Sequence, residues 1–335
     1  MKFLITCTFL LLSISIFAQT SNDNQRLRQA LEKYPDADAN KDGVLTMKEA
    51  LAYQKKRRNK KKISAEDIDL SKMPVSGDIK KGYSGLYMGH SFFVPGVREL
   101  GAIIPETTLS NHHQYQVYRG GAGGSPGSLW QIDSARKAGQ KYLSSKKINL
   151  LVMTYYSEEN SSVTDYSRWF DYAISQNPKI TFMVTIPWDK FLYKKDAAEL
   201  KKSREMHKKI YTSVILKLRQ KYPNNAVLYC PYGLGTYELI DRLKEGKLAG
   251  VKHILNPDKS TRSRVGNPDE LLRDELGHPG MLVSKLSALI WLQTLYNYDL
   301  NQLDPQKVRG LPKIDLREIA TKVQEKIRPY NTEPK

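Results

Sequence analysis

Gly85-Leu86-Tyr87-Met88-Gly89-His90-Ser91-Phe92 is a short apolar run that stops in a glycine and two polar residues. Its length suits a strand buried on both faces, and the Gly-His-Ser ending marks the turn that closes it. The same grammar recurs along the chain. Tyr115 to Tyr118 runs into the glycine-rich Arg119 to Gly127, and helical spacing follows from Ser128 to Leu143. Further strands are predicted over Asn149–Thr154, Thr181–Ile186 and Ala226–Cys230. Helices are predicted over Asp165–Ser175, Ala197–Lys221, Thr236–Glu245 and, last, Leu282–Tyr298. Short apolar runs alternating with amphipathic stretches predict an α/β domain, a doubly wound parallel sheet of about five strands. In such sheets the site lies beyond the carboxyl ends of the strands. Ser91, Gly120–Gly124 and the residues after Thr154 would project there.

Upstream, Asp38-Ala39-Asn40-Lys41-Asp42-Gly43-Val44-Leu45-Thr46-Met47-Lys48-Glu49 reads as a calcium-binding EF-hand loop. Asp38, Asn40 and Asp42 offer side-chain oxygens at loop positions 1, 3 and 5, and Val44 offers its carbonyl at position 7. Thr46 stands at position 9, and Glu49 at position 12 can give two oxygens; Gly43 sits where the backbone must turn. The competing reading is an acidic turn before a helix, capped by Thr46 and Glu49. Matching every ligand position favours Ca²⁺ as a cofactor.

Lys2, the apolar run Phe3–Phe17 and the small Ala18 read as a signal peptide over residues 1–18. The run is shorter than the ~20 residues of a membrane-spanning helix. The expectation is therefore an exported protein, periplasmic or extracellular, with no transmembrane segment after cleavage. The mature chain would keep one cysteine, Cys230, read as a small core residue in an apolar run. The formal net charge is +18, with part of it in Lys55-Lys56-Arg57-Arg58-Asn59-Lys60-Lys61-Lys62. That excess favours anionic partners such as an acidic polysaccharide. No nucleic-acid motif appears, so nucleic acid is not an expected partner.

Gly89-His90-Ser91-Phe92, Gly120-Gly121-Ala122-Gly123-Gly124-Ser125 and Asp274-Glu275-Leu276-Gly277-His278-Pro279 fall in order on this frame. Together they resemble the SGNH hydrolase (GDSL-like esterase) superfamily over roughly residues 83–300. The resemblance implies a flavodoxin-like sheet and hydrolysis of esters, often acyl groups on carbohydrate. It implies Ser91 as nucleophile and His278 as general base, with Glu275, three residues before the histidine, as orienting acid. Asp274 competes for that role. The N–H groups of Ser91 and of Gly123 or Gly124 would hold the oxyanion. Two departures stand out: the family usually has Asp where this chain has His90, and an Asn after a Gly where it has Thr154–Asn160. Asn160 is the available substitute.

The implied organisation is a signal peptide (1–18), an EF-hand segment (19–58), a basic linker (59–82), an SGNH-like domain (83–302) and a C-terminal extension (303–335). Two functions follow. One is an exported calcium-binding esterase acting on acylated, anionic carbohydrate; the other is a non-catalytic calcium-dependent adhesion protein that keeps the fold.

Overall fold

Asn24 opens the first helix: its side-chain oxygen accepts the N–H groups of Arg26 and Leu27, satisfying donors that the first turn leaves unpaired. This α1 (Gln25–Lys33) leads through a single turn at Pro35–Ala37 into the acidic loop, and α2 (Met47–Lys60) leaves it. Leu27, Ala37 and Leu45 are buried together, with Tyr34 and Tyr53 packed on them. The backbone N–H of Ser21 donates to the Leu45 carbonyl at 2.8 Å, so the extended residues before α1 pair with the loop. The computed structural model describes residues 19–60, 65–75, 77–258, 266–304 and 314–332. The chain divides into two units at Ile63/Ser64. The expected signal peptide lies outside the described residues.

The second unit is built on five parallel strands: β1 (Ser84–Gly89), β2 (His113–Tyr118), β3 (Leu150–Thr154), β4 (Thr181–Thr185) and β5 (Val227–Cys230). Their order is β2-β1-β3-β4-β5, the flavodoxin-like order. Every residue of β1 and β3 is buried, as central strands covered by helices on both faces require. The edge strand β2 is mostly half-buried. From β1 the chain moves first to one side, to β2, and then across to β3. A crevice therefore opens at the carboxyl ends of β1 and β3.

The helices are α3 (Val94–Ile103), α4 (Pro126–Gln131), α5 (Asp133–Ser144), α6 (Val163–Gln176), α7 (Ala197–Ile210), α8 (Leu216–Lys221), α9 (Gly233–Lys244), α10 (Met281–Tyr296) and α11 (Leu316–Thr332). The single helix expected over 128–143 is two, broken where Ile132 is extended. Arg136 fixes the break by donating to the Trp130 carbonyl at 2.9 Å. The helix expected over 197–221 contains a π-helical turn at Tyr211–Ile215.

Two further differences concern the ends of this unit. Beyond α10, α11 buries Leu316, Ile319, Ala320, Val323 and Ile327 in the main core. Its Asn331 side chain accepts from the Tyr229 N–H and donates to the Tyr229 carbonyl, both at 2.9 Å, which occupies the open edge of β5. Residues 65–75, expected as linker, bury Ile68 and Met73. Lys147 holds them by donating to the Met73 carbonyl. A short parallel pair, β6 (His253–Leu255) and β7 (Glu270–Leu272), precedes α10; its three-residue strands are too short to stand out as apolar runs.

Candidate active site

The β1–α3 turn is made by residues that leave no room for alternatives. A Cβ on Gly124 would lie 2.4 Å from the Gly89 carbonyl oxygen, so the glycine turn after β2 can touch the end of β1 only because Gly124 is bare, and a Cβ on Gly89 would meet Phe93 and Thr154 at 2.5 and 2.7 Å. The N–H groups of Phe93 and Val94 close onto the His90 carbonyl and start α3. Ser91 stands at the tip of this turn, half-buried at the carboxyl end of a central strand.

His90 is buried beneath it. Its Nδ1 accepts the Phe92 N–H at 3.3 Å, and its Nε2 lies 3.2 Å from the Tyr155 carbonyl, so the ring is neutral with hydrogen on Nε2. The carbonyl can only accept, which fixes the tautomer. His90 thus closes the turn with one ring nitrogen and ties it to the end of β3 with the other. Burial lowers its pKa to about 4.

His278 arrives from the far side, after β7. Gly277 adopts φ +94° and donates to the Asp274 carbonyl, making a tight turn over Asp274–Gly277. That turn lets one carboxylate take two donors from a residue four positions on. Asp274 Oδ1 accepts the His278 backbone N–H at 3.1 Å, and Oδ2 lies 2.6 Å from His278 Nδ1. An ionised carboxylate only accepts, so Nδ1 carries the hydrogen and the Nε2 lone pair faces outward. Ser91 Oγ lies 2.7 Å from that nitrogen. The residue on Nδ1 is Asp274 rather than Glu275, which the resemblance put first. The Phe92 ring packs edge-on against His278, 5.1 Å between centroids, and Trp188 Nε1 donates to the Gly277 carbonyl at 2.9 Å.

Ser91 and His278 open onto a cleft of about 820 Å³, ample for a saccharide-sized ligand. Of the glycine stretch, Gly120 and Gly121 line it, whereas Gly123 and Gly124 do not. Gly124 is spent on contact with β1. After β3, Tyr156 and Ser157 line the cleft and Asn160 does not; Asn160 instead closes a turn on the Ser157 carbonyl. The loop after β4 adds Trp188, Asp189, Lys190 and Lys195. Sequence reading missed these because only the sheet brings them beside Ser91. Cys230 is buried with its thiol pKa raised to about 12 by that burial, which removes it as a nucleophile.

His90 is one of three histidines held neutral. His112, against the Tyr296 hydroxyl, and the less buried His207, against the Tyr229 hydroxyl, are likewise lowered to about 4, mainly by burial. An unfolded histidine titrates near 6.5. Between those values the unfolded chain takes up protons that the folded chain refuses, so stability falls as pH falls from about 6.5 to about 4. His90 alone should cost about 2 kcal/mol by pH 5. The urea midpoint should be flat above pH 7 and decline steadily below 6.5. A midpoint unchanged from pH 7 to 4.5 would contradict this.

In the small unit, Gly43 adopts φ +81° at the sixth position of the acidic loop. Asp38 accepts the Lys41 and Gly43 N–H groups at 2.8 Å each, and Asp42 Oδ1 accepts the Val44 N–H. Glu49 caps α2 through Thr46: its Oε2 accepts the Thr46 N–H and hydroxyl, at 3.0 and 2.7 Å. Among the described residues, no three His, Cys, Asp or Glu side chains are gathered around one point.

No family model matches the chain, and no curated protein matches it. Among solved structures it is similar to the periplasmic domain of a lipopolysaccharide acetyltransferase from Salmonella ser. Paratyphi A. The identity is 14%, with 65% of this chain and 84% of that chain covered and a TM-score of 0.38. Among the described residues, no helix is long and apolar enough to cross a membrane.

Proposed function

We propose that the second unit is a serine acyl hydrolase of the SGNH type, acting on an acylated carbohydrate. The observation that carries this reading is the continuous chain Ser91 Oγ–His278 Nε2 and His278 Nδ1–Asp274 Oδ2, at 2.7 and 2.6 Å, at the floor of an open cleft. Ser91 Oγ attacks the ester carbonyl as its proton passes to His278 Nε2. The C–O bond to the alcohol then breaks, and His278 returns the proton to that leaving oxygen. Water, deprotonated by the same nitrogen, attacks the acyl-serine and frees the acid and Ser91. Asp274 holds the tautomer and offsets the positive imidazolium in each half.

The Ser91 N–H has no intramolecular acceptor among the described residues and suits one side of an oxyanion hole. The backbone of Gly120 and Gly121, which also lines the cleft, is the part of the glycine stretch available for the other. Short-chain acyl esters should be turned over, and a fluorophosphonate should stop turnover and appear by mass spectrometry on Ser91. An unlabelled Ser91 with no turnover would overturn the assignment and leave the adhesion reading.

We infer in addition that the small unit takes one Ca²⁺ on Asp38, Asn40, Asp42, the Val44 carbonyl, Thr46 and Glu49, in an exported protein. The loop's winding and its all-oxygen donor set fit a hard cation. Glu49 would exchange part of its hold on Thr46 for the ion. The few residues buried here make a small core, so ion binding should contribute visibly to its stability. Calorimetry on the mature chain should give a Ca²⁺ heat that weakens at least about tenfold in Glu49→Gln. No heat at millimolar Ca²⁺, or an unchanged one in that variant, would refute the site.

A further inference from the structure

We propose that Lys190 is an anion-binding arm of the cleft, selecting an acylated saccharide that carries a negative charge near the ester. The inference deepens the catalytic reading above and rests on it for the position of the ester. Three lining residues are formally charged at neutral pH: Asp189, Lys190 and Lys195. Two of them neutralise each other. Lys195 Nζ lies 2.5 Å from Asp189 Oδ2 and 2.7 Å from Ser203 Oγ, and Ser203 also donates to Asp189.

Lys190 has no such partner. Its ammonium stands 4.4 Å from the centre of the Tyr156 ring and donates to the Tyr156 hydroxyl. No carboxylate lies within ion-pair distance of it among the described residues. Tyr156 in turn packs edge-on against His90, 5.4 Å between centroids, directly below Ser91. The charge is near enough to contribute to the lowered pKa of His90. An ammonium that donates one hydrogen to a phenol oxygen is oriented by that bond and keeps two further N–H donors. Tyr156 therefore sets the place of the ammonium and leaves its remaining N–H donors for a ligand.

The chemistry recognised is a carboxylate, sulfate or phosphate oxygen. The volume of about 820 Å³ exceeds what a small acyl group fills, so the excess belongs to the alcohol portion of the ester, where a sugar acid would place its charge. The chain's net charge of +18 would draw such a polyanion toward the molecule. One charge-assisted contact in a partly enclosed site is typically worth about ten- to hundredfold in affinity.

The test is calorimetric binding to the Ser91→Ala protein, which does not depend on turnover. Its probes are an acetylated oligogalacturonate, the same oligomer with its carboxyls methyl-esterified, and a sulfated neutral-sugar oligomer of equal length. The carboxylate form should bind at least about tenfold tighter than its neutral counterpart, with an advantage that shrinks as salt rises. Lys190→Gln should remove that advantage, whereas Lys194→Gln, outside the cleft lining, should keep it. Preference for the sulfated oligomer over the carboxylate would assign the arm to sulfate. Equal affinity for charged and neutral forms, an advantage that survives Lys190→Gln, or no binding of any oligomer would overturn the proposal. If charge selectivity holds while the wild-type protein neither labels at Ser91 nor turns over esters, the catalytic reading fails and the anion site stands.

Discussion

Ser91→Ala should lower kcat/KM for an acyl ester by about four to six orders of magnitude, and His278→Ala by a comparable factor. The two side chains are one device. Ser91 Oγ is a poor nucleophile until Nε2, 2.7 Å away, accepts its proton. Removing either member leaves the other with nothing to do. The double variant should therefore lose little more than the worse single variant, and the product of the two losses should greatly overstate the observed one. The activity remaining would reflect ester binding and oxyanion donors alone. Ser91→Ala removes one oxygen and no packing, so its thermal unfolding should move little, whereas His278→Ala also gives up the ring contact with Phe92 and should lower thermal stability modestly. Losses that multiply in the double variant would mean that Ser91 and His278 act in separate steps. Loss of folding in step with loss of activity would mean that the pair is structural.

The fold was readable because β1, β3, β4 and β5 are apolar runs of four to six residues and nearly every residue in them is buried, whereas the edge strand β2 alternates polar and aromatic residues and is mostly half-buried. The glycines after these strands were readable as punctuation, and space is the physical reason for two of them: a Cβ on Gly89 would meet Phe93 at 2.5 Å, and one on Gly124 would meet the Gly89 carbonyl oxygen at 2.4 Å. What sequence could not give were distances between loops. Tyr156 and Lys190 follow different strands, 34 residues apart, and meet only because β3 and β4 are neighbours. The break at Ile132 was hidden because its stabilising contact, Arg136 to the Trp130 carbonyl, competes with a helix pattern that is otherwise continuous. The helix α11 carries Pro329, which argues against a helix on local grounds, and packing of its apolar face against the core overrides that preference. His90 looked like a departure from an acid-bearing motif. Its ring accepts one backbone N–H and meets one carbonyl, so it closes the turn without a charge.

Asp274→Asn should cost about three to four orders of magnitude in kcat/KM, although it changes no shape. The reason lies in the count of donors. Asp274 receives two hydrogens, from the His278 backbone N–H on Oδ1 and from Nδ1–H on Oδ2. Asparagine has one oxygen and one NH₂ to offer. The backbone N–H cannot become an acceptor, so the amide oxygen stays on it and the NH₂ turns toward Nδ1. That nitrogen must then accept, which moves the ring hydrogen to Nε2. Nε2 now points a hydrogen at Ser91 Oγ where a lone pair is required. The alternative amide orientation keeps the productive tautomer but sets NH₂ against the backbone N–H, breaking the turn that positions the ring. Either way the base is lost, and labelling of Ser91 by a fluorophosphonate should slow in parallel with turnover. Glu275→Gln should lose far less than Asp274→Asn, because both ring nitrogens of His278 already have their partners in Asp274 and Ser91. A larger loss in Glu275→Gln than in Asp274→Asn would show that the working enzyme uses the glutamate three residues before its histidine, and that the Asp274 contact is not the productive one.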